Sequence, residues 1–346
     1  MQAVVKFDNV PDAVELRDVP EPERLGAGEV LLRVAAASVC GSDVHQWRNK
    51  QSWKVNVPVI MGHEFCGTIE AKGDDVQGFV TGERVACETA ARICGECVYC
   101  RTGRYNICPK RLGYGYGVDG AFTRYVVARP ALLHRIPESV NFEFASLTEP
   151  LSVAVNGLIE RARVKPGDTV AIIGPGPIGL MCVQVARVCG AGAIVLIGLE
   201  RDRPRLELGR QLGATHALAL PNDDAMKFIR GFGDGFGLDL TVDTTGVSAS
   251  LKLCLDLVRP AGQIVKIGWG PQPLDFNLDM LVQKAVTLHG SFSHSYGTWE
   301  RSLGLMAAAS VQLQPMISAV LPLADWEHGF AGMEDGALVK AVLKPE

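Results

Sequence analysis

A two-part α/β chain is what this sequence predicts: a β-rich part together with a doubly wound parallel sheet. Three observations carry that expectation. The 346 residues exceed one ordinary domain and suit two. Short apolar or alternating runs, broken by Gly, Pro and Asp, fill the first ~150 residues, and from about Ala154 the texture becomes alternating strand and helix. A glycine-rich turn at 174–179 then stands between a strand pattern and a helix pattern, where such turns hold phosphates.

In the first part, Val4–Phe7, Val30–Ala36, Phe65–Ala71, Arg84–Cys87 and Phe122–Val127 are predicted strands. Asp168–Ile173 (DTVAII) is a buried-strand pattern, and Ile178–Cys189 reads as a helix. Ala193–Ile197 returns to strand and Pro204–Leu212 to helix; Leu238–Asp243, Ser250–Val258 and Gln263–Ile267 continue the series. That rhythm implies a parallel sheet with helical crossovers. After about Phe292 the patterns no longer extend it, so the last ~50 residues are expected to rejoin the first part.

Composition narrows the class. Hydrophobic residues at 47% with charged residues at 21% describe an ordinary globular protein. Lys plus Arg 34 against Asp plus Glu 38 gives a net −4, which leaves no basic field for a nucleic-acid backbone. Lys6 and Asp8 interrupt the N-terminal stretch, so it does not read as a secretory leader. Pro175, Pro177, Gln184 and Arg187 break the most apolar region, Val170–Leu199, short of the ~20 apolar residues a spanning helix needs. A cytoplasmic, membrane-free protein is expected, and in a reducing compartment ten cysteines should mean metal ligands or core.

The strand Thr169–Ile173 runs into Gly174-Pro175-Gly176-Pro177-Ile178-Gly179, and a helix follows. In this context Gly174 permits the tight turn, Gly176 lets a pyrophosphate approach the backbone, and Gly179 lets helix and strand pack closely. The helix start, with Pro177 and Ile178, adds free N–H groups and a partial positive charge. Glu200 ends the next strand, about 20 residues on, where an acid would hold a ribose 2′-hydroxyl and repel a 2′-phosphate. NAD is therefore expected over NADP. Arg201, Arg203 and Arg205 point the other way, since a guanidinium accepts a 2′-phosphate, unless they merely solvate a helix start.

Cys94, Cys97, Cys100 and Cys108 form C-x2-C-x2-C-x7-C, a spacing that can surround one tetrahedral Zn²⁺ with a closed, structural shell. Gly95, Gly103 and Pro109 supply the turns. An iron–sulfur centre is the rival reading, disfavoured by a single short cluster beside a dinucleotide fold. Cys66, Cys87, Cys182, Cys189 and Cys254 lie mostly in apolar runs and are expected in the core.

Three further segments carry ligand chemistry: Cys40-Gly41-Ser42-Asp43-Val44-His45, Gly62-His63-Glu64-Phe65 and Glu149-Pro150-Leu151. With the cysteine lobe and GPGPIG they occur in the order found in the zinc-dependent medium-chain alcohol dehydrogenases. The whole chain resembles their polyol (sorbitol/xylitol) dehydrogenase branch. The resemblance implies a GroES-like catalytic domain over 1–153 and 294–346 and a Rossmann NAD-binding domain over 154–293. It further implies two zinc ions, one structural and one catalytic, the latter held by Cys40, His63 and a glutamate. Glu64 is expected on the metal with Glu149 nearby, Asp43 orienting His63, and Gly268 and Phe292 also contacting the cofactor. A homo-oligomer, dimer or tetramer, is implied as well.

The reaction implied is oxidation of a secondary hydroxyl of a polyol to a ketone, with hydride passing to the nicotinamide. Ser42 would accept the hydroxyl proton and pass it by the ribose to His45; the blander reading of both is turn chemistry. The cleft between the domains is expected to bring the alcohol carbon within about 3.5 Å of the ring. Polyol dehydrogenases place an aromatic where this chain has Gln46 and an Arg-Tyr pair where it has Ser293-His294, which leaves the particular sugar alcohol open. The segment Ser291–Trp299 is either a hydroxyl-rich substrate wall or a polar crossover. Rival activities are a threonine 3-dehydrogenase or a simple secondary-alcohol dehydrogenase. A non-catalytic zinc-bearing NAD-binding protein would be expected to show a broken ligand set, and this one is intact.

Overall fold

The computed structural model describes residues 1–232 and 234–345. Two compact units divide the chain. One comprises Met1–Glu149, His294–Ala308 and the stretch from Leu313 onward; the other comprises Pro150–Ser293 and Ala309–Gln312. The break falls at Glu149/Pro150, where the change in sequence texture suggested 153/154. Residues 309–312 lie with the second unit because Gln312 N donates to Gln184 Oε1 and Arg187 Nη2 to Ser310 O, each at 2.6 Å.

In the first unit, the larger of two sheets of the described residues runs Ile317–Pro322, Lys340–Lys344, Val30–Ser38, Glu64–Lys72, Arg84–Cys87, Leu133–Arg135, with Tyr125–Ala128 also paired to Val30–Ser38; the smaller pairs Val14–Asp18, Gln2–Lys6 and Val59–Ile60. Successive side chains of a strand point to opposite faces, so Val30, Leu32 and Val34 of the long strand Val30–Ser38 and Phe65 and Ile69 of Glu64–Lys72 are buried in one core. Trp47, Phe122, Trp326 and Phe330 close it edge to face, Trp47 and Trp326 at 5.8 Å and Phe122 and Phe330 at 5.9 Å. The strand expected at Phe122–Val127 begins only at Tyr125. Phe122 instead ties the chain start to the core, its carbonyl accepting from Val4 N and its N–H donating to Met61 O, both at 2.9 Å.

The second unit holds an all-parallel sheet of the described strands, ordered His216–Leu220, Ala193–Leu199, Thr169–Ile173, Leu238–Asp243, Val258–Lys266, Thr287–Gly290. Chain order reverses beside Thr169–Ile173, whose neighbours are Ala193–Leu199 on one side and Leu238–Asp243 on the other. Ligands of such sheets bind outside the carboxyl ends of the strands at that point. Among the described residues, no helix is long and apolar enough to cross a membrane.

Candidate functional site

The register of the first unit's larger sheet assembles the first cluster. Ser38 stands opposite Glu64 across the antiparallel pair, so Cys40, two residues past one strand end, meets His63, one residue before the other strand's start. One ligand atom from each of Cys40, His63 and Glu64 lies within 4.8 Å of the others. His63 and Glu64 are buried and Cys40 half-buried. Burial and the Glu64 carboxylate push the Cys40 thiol up. Burial opposes charge on His63, yet Asp43 and Cys40 outweigh it and hold the imidazole well above its ordinary range.

Neighbouring groups hold the three in place. Glu64 Oε2 accepts from Ser38 Oγ and from the buried Lys340, whose Nζ also donates to Val39 O at 2.7 Å. Lys340 arrives there because its strand pairs with Val30–Ser38. Asp43, on the helix Gly41–Trp47, accepts from Cys40 N at 2.9 Å and sets its other oxygen 3.3 Å from His63 Nδ1. Ser42 Oγ lies 3.3 Å from His63 Nε2. The remaining oxygen of Glu64, Oε1, is buried without a hydrogen-bond partner among the described residues. An orphaned carboxylate oxygen beside a thiol and an imidazole is a donor set that fits a divalent cation, and one S, one N and one O ligand leave a fourth position open.

Glu149 lies outside that set. It is buried at the first turn of the helix Thr148–Val155, with Oε1 3.3 Å from His294 Nε2. Burial pushes its carboxyl up, but His294, His63 and Lys340 more than offset this and leave it below the ordinary range. His45 lines a cavity of about 220 Å³ with Arg48, Lys50 and Glu334. Burial and then Lys50 hold its imidazole below the usual value. Gln46 is fully buried, and both its amide atoms lack a hydrogen-bond partner among the described residues. Within Ser291–Trp299 the chain itself engages several of the polar groups. Asn156 Nδ2 donates to Ser291 Oγ and Ser293 O, Thr298 Oγ1 donates to Ser295 O, and His294 is buried.

The four cysteines of the lobe meet as their spacing requires, their sulfurs all within 4.8 Å and neighbouring pairs at 3.5, 3.6 and 3.8 Å. Zinc–sulfur bonds of about 2.3 Å in a tetrahedron separate sulfurs by about 3.8 Å, so this cage fits zinc. Backbone N–H groups of Cys97 and Glu96 already draw the Cys94 thiol down to about 6. Of the five cysteines outside both clusters, Cys66, Cys87, Cys182 and Cys254 are buried, whereas Cys189 is only half-buried at a helix end.

In the second unit the glycine turn has the shape a dinucleotide needs. Gly174 takes φ +106°, and a Cβ at Gly179 would stand 1.8 Å from Gly174 O. A Cβ at Gly176 would meet nothing within 4 Å, so that side of the turn is open. Gly176 caps the helix Pro177–Val188 without a side-chain bond, leaving first-turn N–H groups, Ile178 included, for an anion. Glu200 follows the strand Ala193–Leu199, its carboxylate held by Arg203 and by Asn222 Nδ2 at 2.8 Å; Arg205 is half-buried in the next helix. Gly268 packs on the Thr245–Gly246 backbone, where a Cβ would come within 2.3 Å of Gly246 N, and Phe292 lies 5.7 Å from the Trp269 ring. Asp243 organises that rim. It accepts from Thr245 N, Gly246 N and Ser250 Oγ through one oxygen and from Lys266 Nζ through the other. Sequence reading missed Ser38, Lys340 and Asp243, which belong to no spaced motif; only strand register could have found the first two.

Residues 26–138 match the alcohol dehydrogenase GroES-like domain and residues 177–308 the zinc-binding dehydrogenase family. The chain is 34% identical to sorbitol dehydrogenase of Halalkalibacterium halodurans, over 100% of this chain and 99% of that one. It is also 34% identical to L-threonine 3-dehydrogenase of Bacillus subtilis, with the same coverage of both chains. The solved alcohol dehydrogenase of Thermus sp. ATN1 superposes with a TM-score of 0.89 at 30% identity, covering 100% of both chains.

Proposed function

Because the chain belongs to the zinc-dependent medium-chain alcohol dehydrogenases, in their polyol branch, we propose that it oxidises a secondary hydroxyl of a polyol or sugar alcohol to a ketone with NAD. The observation that carries this reading is the cluster of Cys40, His63 and the half-orphaned Glu64, with the Ser42 hydroxyl beside it. Cys40, His63 and Glu64 would hold the catalytic zinc; Cys94, Cys97, Cys100 and Cys108 the structural one. When bound, zinc supplies the Lewis acidity that makes a hydroxyl acidic near neutral pH, and the nicotinamide supplies the hydride acceptor.

The chain's own groups do the rest. Asp43 accepts from the Cys40 backbone and stands with its other oxygen 3.3 Å from His63 Nδ1, the position of a group that orients the ring of a metal-bound imidazole. Ser42 Oγ takes the proton released by the substrate hydroxyl, and His45, one turn along the same helix, is the base that delivers it to solvent. Gly174, Gly176 and Gly179, with the N–H groups of Pro177–Val188, hold the pyrophosphate. The Glu200 carboxylate accepts from a ribose 2′-hydroxyl and repels a 2′-phosphate, which supports NAD; Arg203 beside it is the group an NADP enzyme would use instead. A cytoplasmic homo-oligomer, dimer or tetramer, completes the reading. The exposed edge strand Thr287–Gly290 supports self-association.

A second reading, oxidation of L-threonine, is favoured by the threonine dehydrogenase relative. Reduction of each coenzyme by a panel of sugar alcohols, simple secondary alcohols and L-threonine separates the two. NADH from a polyol, abolished by a chelator, is the expected result. No reduced coenzyme from any polyol or secondary alcohol, with zinc content verified, would sink the proposal.

A further inference from the structure

Glu149 is held by a chain of buried side chains that the ligand motifs do not contain. Trp299 and His294 are buried, and the indole Nε1 stands 2.6 Å from His294 Nδ1. An indole N–H only donates, so Nδ1 must offer its lone pair and the ring proton must sit on Nε2. That nitrogen lies 3.3 Å from Glu149 Oε1 and 3.3 Å from Thr89 Oγ1. Arg111 Nη2 donates to the Thr89 hydroxyl oxygen at 2.7 Å, and the single Nε2–H of His294 is shared between Glu149 Oε1 and Thr89 Oγ1. Trp299 is in turn held flat. His134 stacks on it with ring centres 5.4 Å apart and planes 18° apart, and Glu88 fixes His134 through Nε2 at 3.0 Å. Tyr105, inside the cysteine lobe, donates to both oxygens of the same Glu88 at 2.7 Å.

We propose that Trp299 is a positioning residue that acts through His294 on Glu149. By donating to Nδ1 it locks His294 as the Nε2–H tautomer, a donor that holds the Glu149 carboxylate away from the Cys40–His63–Glu64 cluster. Glu64, anchored by Ser38 and Lys340, is left as the carboxylate that faces the metal position. The choice between two buried glutamates is thereby made by a residue that acts on Glu149 through His294. The proposal rests on the metal site described above, but its first test does not depend on turnover.

Long-range ¹H–¹⁵N NMR of histidine-labelled, zinc-loaded protein reads the His294 tautomer directly. Nε2–H in the wild type, giving way to Nδ1–H or a mixture in Trp299→Phe, is the expected result. Nδ1–H in the wild type, or an unchanged tautomer in Trp299→Phe, would overturn the proposal. Should Trp299→Phe fail to fold, the wild-type spectrum alone decides. A double-mutant cycle supplies the second readout. His294→Gln keeps an amide donor towards Glu149 that needs no indole partner, so Trp299→Phe should lower kcat about tenfold in the wild type and little in the His294→Gln background. KM should change less than kcat, since a substrate contact is not removed. Additive losses would show that Trp299 acts by another route. Failure to find any alcohol substrate would count against the functional reading and leave the tautomer measurement standing.

Discussion

The two metal-ligand clusters of the first unit are built in opposite ways. Cys94, Cys97, Cys100 and Cys108 share one loop, three of them half-buried, and their sulfurs face chiefly one another. Cys40, His63 and Glu64 come from two strand ends, and they lean on Ser38, Asp43 and a lysine near the other end of the chain. The lobe's four ligands lie within fifteen residues, so the local course of the loop brings them together. The second cluster exists only once the sheet has its register. Four like ligands leave no open position, whereas a mixed set of three beside a hydroxyl and a spare carboxylate leaves room for chemistry.

The largest expected effect separates these roles. Cys40→Ala should lower kcat/KM by at least about a thousandfold while the melting temperature moves little, as coupled NADH formation and calorimetry would show. Cys97→Ser should do the reverse, losing one zinc equivalent and at least roughly 5 °C in Tm with turnover per folded site kept. Equal loss of folding in both variants would break the comparison. Asp43→Asn should weaken the second cluster alone, by about 10–100-fold in zinc affinity measured by chelator competition, with the lobe still loaded.

Smaller effects sharpen the picture away from the metals. Glu200→Ala removes the carboxylate beside Arg203 and should shift the NAD-to-NADP ratio of kcat/KM by about tenfold towards NADP. An unchanged ratio would show that Glu200 does not meet the ribose. The smallest effect concerns pH. Burial and Lys50 hold His45 below its usual value, so its imidazole stays deprotonated further into acid. Lys50→Gln removes one depressing charge and leaves burial, which lowers the value, against Glu334, which raises it; the acid limb of the kcat profile should move up in pH. A limb that stays put would remove His45 from proton delivery.

Much of the fold was legible because its strands are apolar and bounded. Arg84–Cys87 and Leu238–Asp243 begin and end where their patterns do. His216–Leu220 and Thr287–Gly290 were not legible. Both lie at sheet edges, and an edge strand such as Thr287–Gly290, mostly exposed, shows no apolar alternation to read. Phe122 misled for the opposite reason: it is apolar and buried, but its backbone pairs outside any strand.

What the sequence determined by itself are the features whose geometry is local. The cysteine lobe and the glycine turn each fit within fifteen residues, so spacing alone sets which atoms can meet and what they can bind. Only the tertiary structure decided which carboxylate belongs to which cluster. Glu64 is fixed by Lys340, 276 residues away, and Glu149 by His294, whose ring proton is placed by Trp299. Such contacts follow from strand register and burial, which bring remote groups into a dry interior where each must find a partner. No spacing rule reaches across that distance.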